Sequence, residues 1–146
     1  MVLTQGLVNL TPIVFADSEF VLSPSGKATV CPEATLEITC STDRHFQILE
    51  WNVTTSPSAS ESGQAFSSAR FISSSSQSVS PFIINTKVFT ISIVSTMDQF
   101  TSVLSVVNVT DDLNGTIVQC TDIGSSAAET RTAMTFVHII QTDIGR

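Results

Sequence analysis

The chain has 146 residues, a formal net charge of −7, 42 % hydrophobic residues and only 13 % charged residues. This length suits one domain with a full core, and the low charge is unusual for a cytosolic protein, in which about a quarter of residues are charged. The six basic residues are scattered. Their distribution excludes the basic stripe of a nucleic-acid binder and argues against a bare acidic membrane surface as a partner. No stretch approaches the ~20 apolar residues of a membrane span, so we expect any membrane anchor of the parent protein to lie outside this chain.

The first 17 residues form a separate, largely apolar segment. Val14 and Ala16 suit signal cleavage before Asp17, but no positive charge precedes them and Pro12 interrupts the apolar run. Three interpretations stay open: a signal remnant, a linker from a preceding segment, or an extra strand, and the last two fit the sequence better. We place the domain at residues 18–142 and a C-terminal tail at 143–146.

A hydrophobic period of two runs through most of the remaining chain, which predicts strands. In chain order the segments are TLEITCS, QILEWNV, KVFTISIVS, QFTSVLSVVNV, GTIVQCTD and TAMTFVHIIQ. Residues 87–109 read as a strand–turn–strand hairpin, and we expect one or two weak edge strands in the serine-rich stretch 54–80. No window shows a helical period with caps. The pattern therefore predicts an all-β sandwich or barrel.

Two cysteines and a tryptophan fall on the inward faces of separate predicted strands: Cys40, Trp51 and Cys120. This order resembles the immunoglobulin superfamily over roughly residues 20–141. The resemblance implies a two-sheet antiparallel Greek-key immunoglobulin-like sandwich with a V-type frame, similar to domains of invertebrate cell-surface or secreted proteins. It also implies that Cys40 and Cys120 form the inter-sheet disulfide, and that Trp51 packs on it.

The resemblance extends to the segment LSVVNVTDDLNG, in which Leu104 matches a core position of the family. Residues 87–109 then correspond to its strands D and E. The family's tyrosine corner requires Tyr two residues before the second cysteine, but Val118 stands there and the chain contains no Tyr. We expect Val118 in the core, Leu113 in place of the missing ring, and a turn at Asn114-Gly115.

A disulfide between Cys40 and Cys120 would close a loop of 80 residues, which stabilises by ~4–5 kcal/mol in the chain-entropy model. No CxxC or HxxxH spacing indicates a metal site, and we interpret Cys120 as structural. Cys31 is left unpaired. It fits a buried inert thiol, a partner for a cysteine of a neighbouring domain or subunit, or a competitor of Cys40 for Cys120.

Four of the five asparagines lie in N-x-[ST] sequons, a motif for N-glycosylation: Asn9, Asn52, Asn108 and Asn114. They predict a secretory-pathway glycoprotein that is extracellular, either at the cell surface or secreted.

No motif indicates catalysis, a cofactor or a metal ion, because the chain lacks a G-x-S-x-G elbow and a phosphate-binding glycine loop. The acidic residues Asp111, Asp112 and Asp122 match no calcium-loop spacing. We therefore expect no enzyme and look for recognition in loops at one end of the sandwich. The candidate binding residues are Arg44, His45 and Phe46 in the B–C loop at 41–46, and Ser125 and Ser126 in the F–G loop at 121–131.

The predicted function is an extracellular binding module for cell adhesion, recognition or receptor sensing, with a protein ligand or a homophilic partner. The alternative is a secreted structural subunit that self-assembles through sheet edges or through strand donation by residues 1–16.

Overall fold

The computed structural model describes residues 19–43, 48–56, 65–73, 78–84, 86–96, 99–124 and 126–140. These ranges contain strands and two short 3-10 turns, at Asp111–Leu113 and Ala127–Glu129, with no α-helix among the described residues. The strands are β1 (Phe20–Ser23), β2 (Gly26–Val30), β3 (Leu36–Thr42), β4 (Ile48–Thr54), β5 (Ser67–Ser73), β6 (Phe82–Ile84), β7 (Lys87–Ser95), β8 (Phe100–Val106), β9 (Ile117–Ile123) and β10 (Arg131–Ile139). The prediction of an all-β fold is confirmed.

The strands form two sheets of five strands that pack face to face. The first sheet has the order β1-β3-β8-β7-β6, and the second has the order β2-β10-β9-β4-β5. Neighbours run antiparallel except for β2, which lies parallel to β10. The predicted hairpin at 87–109 is confirmed as the neighbouring pair β7 and β8, and the serine-rich stretch contributes β5 at one edge of the second sheet. The chain passes from the first sheet to the second between β1 and β2.

Alternation of inward and outward side chains gives each central strand one buried and one outward face. In β3, Leu36, Ile38 and Cys40 are buried, whereas the intervening residues reach the surface. The inward faces of both sheets form one hydrophobic core, to which a fully buried large side chain contributes about 1.5–3 kcal/mol. Within it the rings of Phe82 and Phe89 stack with centroids 5.2 Å apart.

The predicted turn before β9 is confirmed. The Thr116 amide donates to the Leu113 carbonyl at 3.1 Å, and Gly115 adopts φ +83°, a conformation that favours glycine. Leu113 is buried in the core. The side-chain oxygen of Asn114 accepts a hydrogen bond of 2.8 Å from the amide of Ile139, which ties the turn to the end of β10.

Candidate functional site

Two links cross the core at the same level: one is a disulfide and the other is a hydrogen bond. Cys40 and Cys120 form a disulfide, as the resemblance implies. Trp51 lies opposite Cys120 in the second sheet, and Ser102 lies opposite Cys40 in the first sheet. The disulfide and the Trp51–Ser102 pair therefore connect the two sheets side by side.

The second link is a hydrogen bond that the sequence did not reveal. The indole N–H of Trp51 donates to Ser102 Oγ at 2.9 Å, and the Ser102 hydroxyl donates to the Ser92 carbonyl at 3.0 Å. Trp51 and Ser102 are fully buried, so an unpaired indole N–H here would be costly. The structure also places Leu104 and Val118 in the core.

An ion pair between a buried carboxylate and a partly exposed arginine closes one end of the sandwich. The fully buried Asp122 accepts hydrogen bonds from Arg131 Nη2 at 2.6 Å and from Thr42 Oγ1 at 3.0 Å. The guanidinium carbon of Arg131 lies 5.2 Å from the ring centroid of Phe20, a cation–π contact. The cluster joins β1, β3, β9 and β10 at the end of the sandwich where the chain passes from β9 to β10. It makes Asp122 a structural residue, at the opposite end of β9 from the 3-10 turn Asp111–Leu113.

The predicted F–G recognition loop is shorter than expected. Residues 121–123 belong to β9, and Arg131 begins β10 in register with Asp122, so the F–G connection covers only 124–130. Ser126 is exposed there, and its carbonyl accepts from Thr130 Oγ1 at 3.0 Å. Arg44, His45, Phe46 and Ser125 lie outside the described residues, and their role stays a prediction.

The one cysteine outside the disulfide is exposed. Cys31 follows β2 and has a free thiol. The interpretation as a buried thiol is wrong, because the chain leaves the core at the end of β2. The interpretation as a competitor for Cys120 is also wrong, because Cys120 is bonded to Cys40. Pairing with another domain or subunit stays a prediction.

Three of the four sequon asparagines lie in described ranges, and each has a different setting. Asn52 is half-buried on the outward side of β4, Asn108 is exposed beyond the end of β8 with φ +57°, and Asn114 is exposed in the turn before β9. Asn9 lies outside the described residues, as do residues 1–18 as a whole.

The outer face of the second sheet has few charges and carries large exposed apolar side chains. Exposed apolar residues stand on three of its strands: Ile48 (43 %) on β4, Phe71 (62 %) on β5, and Met134 (44 %) and Phe136 (48 %) on β10. The period of two that buries the opposite side of each strand turns these residues outward. The outward polar residues between them are mostly uncharged, and Glu50 is the single outward-facing carboxylate among the described positions on the five strands.

The outer face of the first sheet has a different chemistry. Its outward positions are mainly Ser, Thr and Val, and its exposed large apolar residues are aliphatic without exception among the described positions. On its strands these residues are Val21, Ile83, Val88 and Val94, and the exposed Val107 follows the end of β8. Aromatic residues and Met are enriched in protein interfaces, whereas Ser is depleted. The second sheet therefore offers the better candidate surface for recognition.

Within the described residues, no group of three or more His, Cys, Asp or Glu side chains is arranged to hold a metal ion. The described part of the chain also contains no helix long and apolar enough to span a membrane.

Solved structures with this fold include immunoglobulin domains. The RIG-5 IG1 homodimer matches with a TM-score of 0.52 and 14 % identity, over 85 % of this chain and 98 % of that chain. A second match is a chain from a solved structure that describes the structural basis of T cell specificity and activation by the bacterial superantigen toxic shock syndrome toxin-1. Its TM-score is 0.51 at 15 % identity, over 85 % of this chain and 100 % of that chain. These matches show a shared immunoglobulin-like fold, and at identity this low they show the fold alone. No defined protein family matches the chain, and no curated protein does.

Proposed function

We propose that this chain is an extracellular V-type immunoglobulin-like module that recognises a protein through the outer face of its second sheet, and that the partner is a second copy of the chain. A disulfide-bonded immunoglobulin-like sandwich is typical of extracellular proteins, and the sequons support passage through the secretory pathway. The V-type frame is supported by β5, an added strand beside β4, and by β2, which extends the second sheet next to β10.

The composition of the face carries the proposal. Phe71, Met134 and Phe136 are side chains of the types that dominate interface cores, and all three are exposed in the monomer. Five strands of about 4.8 Å spacing and seven residues of about 3.3 Å rise cover a projected area of roughly 550 Å². With side-chain relief this approaches the ~800 Å² per partner that stable interfaces bury.

Charge argues for a second copy as the occupant. Two chains with a net charge of −7 repel one another unless they approach through surfaces that carry little charge. The outer face of the second sheet meets this condition, since Glu50 is its single described carboxylate and Lys27 stands at its β2 edge. A copy-to-copy arrangement is also what the structural neighbour RIG-5 IG1 forms, as a homodimer.

The test places a charge in the middle of the face. In protein made without N-glycans, Met134→Glu would bring two like charges together across a two-fold interface and should convert the dimer to a monomer. Val94→Glu is the matched control, because Val94 is equally strand-borne and exposed on the first sheet. Sedimentation equilibrium measures the mass, and thermal unfolding checks that both variants fold. A monomeric parent protein up to about millimolar concentration, or equal dimerisation of both variants, would reject the proposal.

The alternative, a structural subunit that assembles through strand addition, is favoured by one observation. β5 and β6 are open sheet edges on the same side of the sandwich, and the exposed Phe66 and Ile83 lie beside them. Edge pairing can continue from copy to copy, whereas a face-to-face contact closes as a dimer. Masses that keep growing with concentration would favour this alternative.

A further inference from the structure

One of the predicted glycan acceptors stands on the outer face of the second sheet, which is called the recognition face from here on. Asn52 lies at the middle of β4, with Gln119 of β9 and Ala69 of β5 as its register partners on either side. Its neighbours in the chain, Trp51 and Val53, are buried, so the Asn52 side chain projects outward. The exposed apolar residues of the face lie on both sides of it, with Phe71 on the adjacent β5 and Met134 and Phe136 on β10, beyond β9.

The local hydrogen bonds of Asn52 use its amide oxygen and not the amide nitrogen that would carry a glycan. The amide oxygen of Asn52 accepts from Thr54 Oγ1 at 3.2 Å and from Ser67 Oγ at 3.4 Å. Thr54 is the hydroxyl residue of the same sequon. The Nδ2 atom, to which an N-glycan is joined, makes no hydrogen bond to a described residue. Both bonds to the oxygen are therefore compatible with a glycan on the nitrogen.

We infer that a glycan on Asn52 and docking through the outer face of the second sheet exclude each other, so that occupancy of this sequon controls self-association. The inference rests on the proposed function. A glycan is bulky and hydrated, and at the middle of a flat sheet it would hold a second copy away from Phe71, Met134 and Phe136. Contact between hot-spot residues requires water to be excluded from the centre of the interface, and a sugar chain rooted there prevents this.

Another sequon provides an internal comparison. Asn108 lies two residues beyond the end of β8, in the first sheet, and is exposed. A glycan at this position would stand away from the second sheet. It would add similar mass and hydration to the molecule without occupying the recognition face.

The experiment uses the full chain secreted from eukaryotic cells, with glycan occupancy read by mass spectrometry and self-association by sedimentation equilibrium. Asn52→Gln and Thr54→Val each abolish the Asn52 sequon, by different chemistry. Asn108→Asp is the control, since Asp tolerates the left-handed conformation at that position. The chain made without N-glycans completes the series, because its Asn52 stays an uncharged asparagine.

The secreted chain glycosylated at Asn52 should be monomeric, as should Asn108→Asp. Both variants without the Asn52 sequon should dimerise at least about 100-fold more tightly. An unoccupied Asn52, or a glycosylated chain that dimerises as tightly as Asn52→Gln, would overturn the inference while leaving the recognition face in place. If chains without any glycan stay monomeric, the recognition face itself is wrong, and the inference falls with it.

Discussion

Replacement of Ser102 by alanine should destabilise the fold through a single buried donor. Ser102 Oγ is the acceptor for the Trp51 indole N–H, at 2.9 Å, and both residues are fully buried. A buried donor that loses its partner costs about 1–3 kcal/mol, and we expect about 2 kcal/mol because the Ser92 carbonyl also loses the Ser102 hydroxyl. With a urea m-value of about 2 kcal/mol/M, the unfolding midpoint should fall by about 1 M.

The control is Ser105→Ala, on the outward side of the same strand, which should change stability by less than about 0.5 kcal/mol. A double-mutant cycle with Trp51→Phe isolates the hydrogen bond, because phenylalanine carries no donor. The coupling between Trp51 and Ser102 should be about 1–2 kcal/mol. The disulfide must be verified intact by mass in each variant. If Ser102→Ala matches Ser105→Ala, or if the cycle is additive, the hydrogen bond does not stabilise the sandwich as we argue.

Three further changes test other parts of the structure. Arg131→Ala should lower the free energy of unfolding in urea by about 2–3 kcal/mol, because the buried Asp122 would lose this cation. A loss below about 0.5 kcal/mol would instead be typical of an exposed pair and would contradict this role. Gly115→Ala should cost about 1–3 kcal/mol in the same assay, since φ is +83° and the new Cβ would lie 3.3 Å from Ser56 Cβ; an unchanged midpoint would contradict the turn geometry. Cys31 should react with maleimide in the native protein and the disulfide sulfurs should not, since Cys31 is the exposed thiol; native protein that takes up no label would contradict that exposure.

The strands were predictable because their period is a local property of the sequence. Each inward side chain of β3, β4 or β9 is identified by its immediate neighbours, and the turn at Asn114-Gly115 by its own two residues. The pairing of Cys40 with Cys120 followed from the resemblance to a known fold rather than from any local pattern. The end of the F–G connection was misplaced because Arg131 reads as a polar loop residue until its partner Asp122 is known.

The outward residues of the recognition face were also visible in the sequence, but without a reason to group them. Phe136 sits in a strand whose two faces are both apolar, so the alternation there does not show which side is exposed. Phe71 lies 65 residues before it in the chain. Only the order β10-β9-β4-β5 brings the two residues onto one surface, with Asn52 between them.

The sequence by itself determined that the chain is all-β, which side of its central strands faces the core, and that its core contains Cys40, Trp51 and Cys120. Tertiary structure alone decided that Trp51 would meet Ser102, 51 residues away, and that Asp122 would find its cation. The reason is physical. Strand alternation depends on adjacent residues, whereas hydrogen-bond partners and surface neighbours depend on register and sheet order, which the packing of the whole core selects.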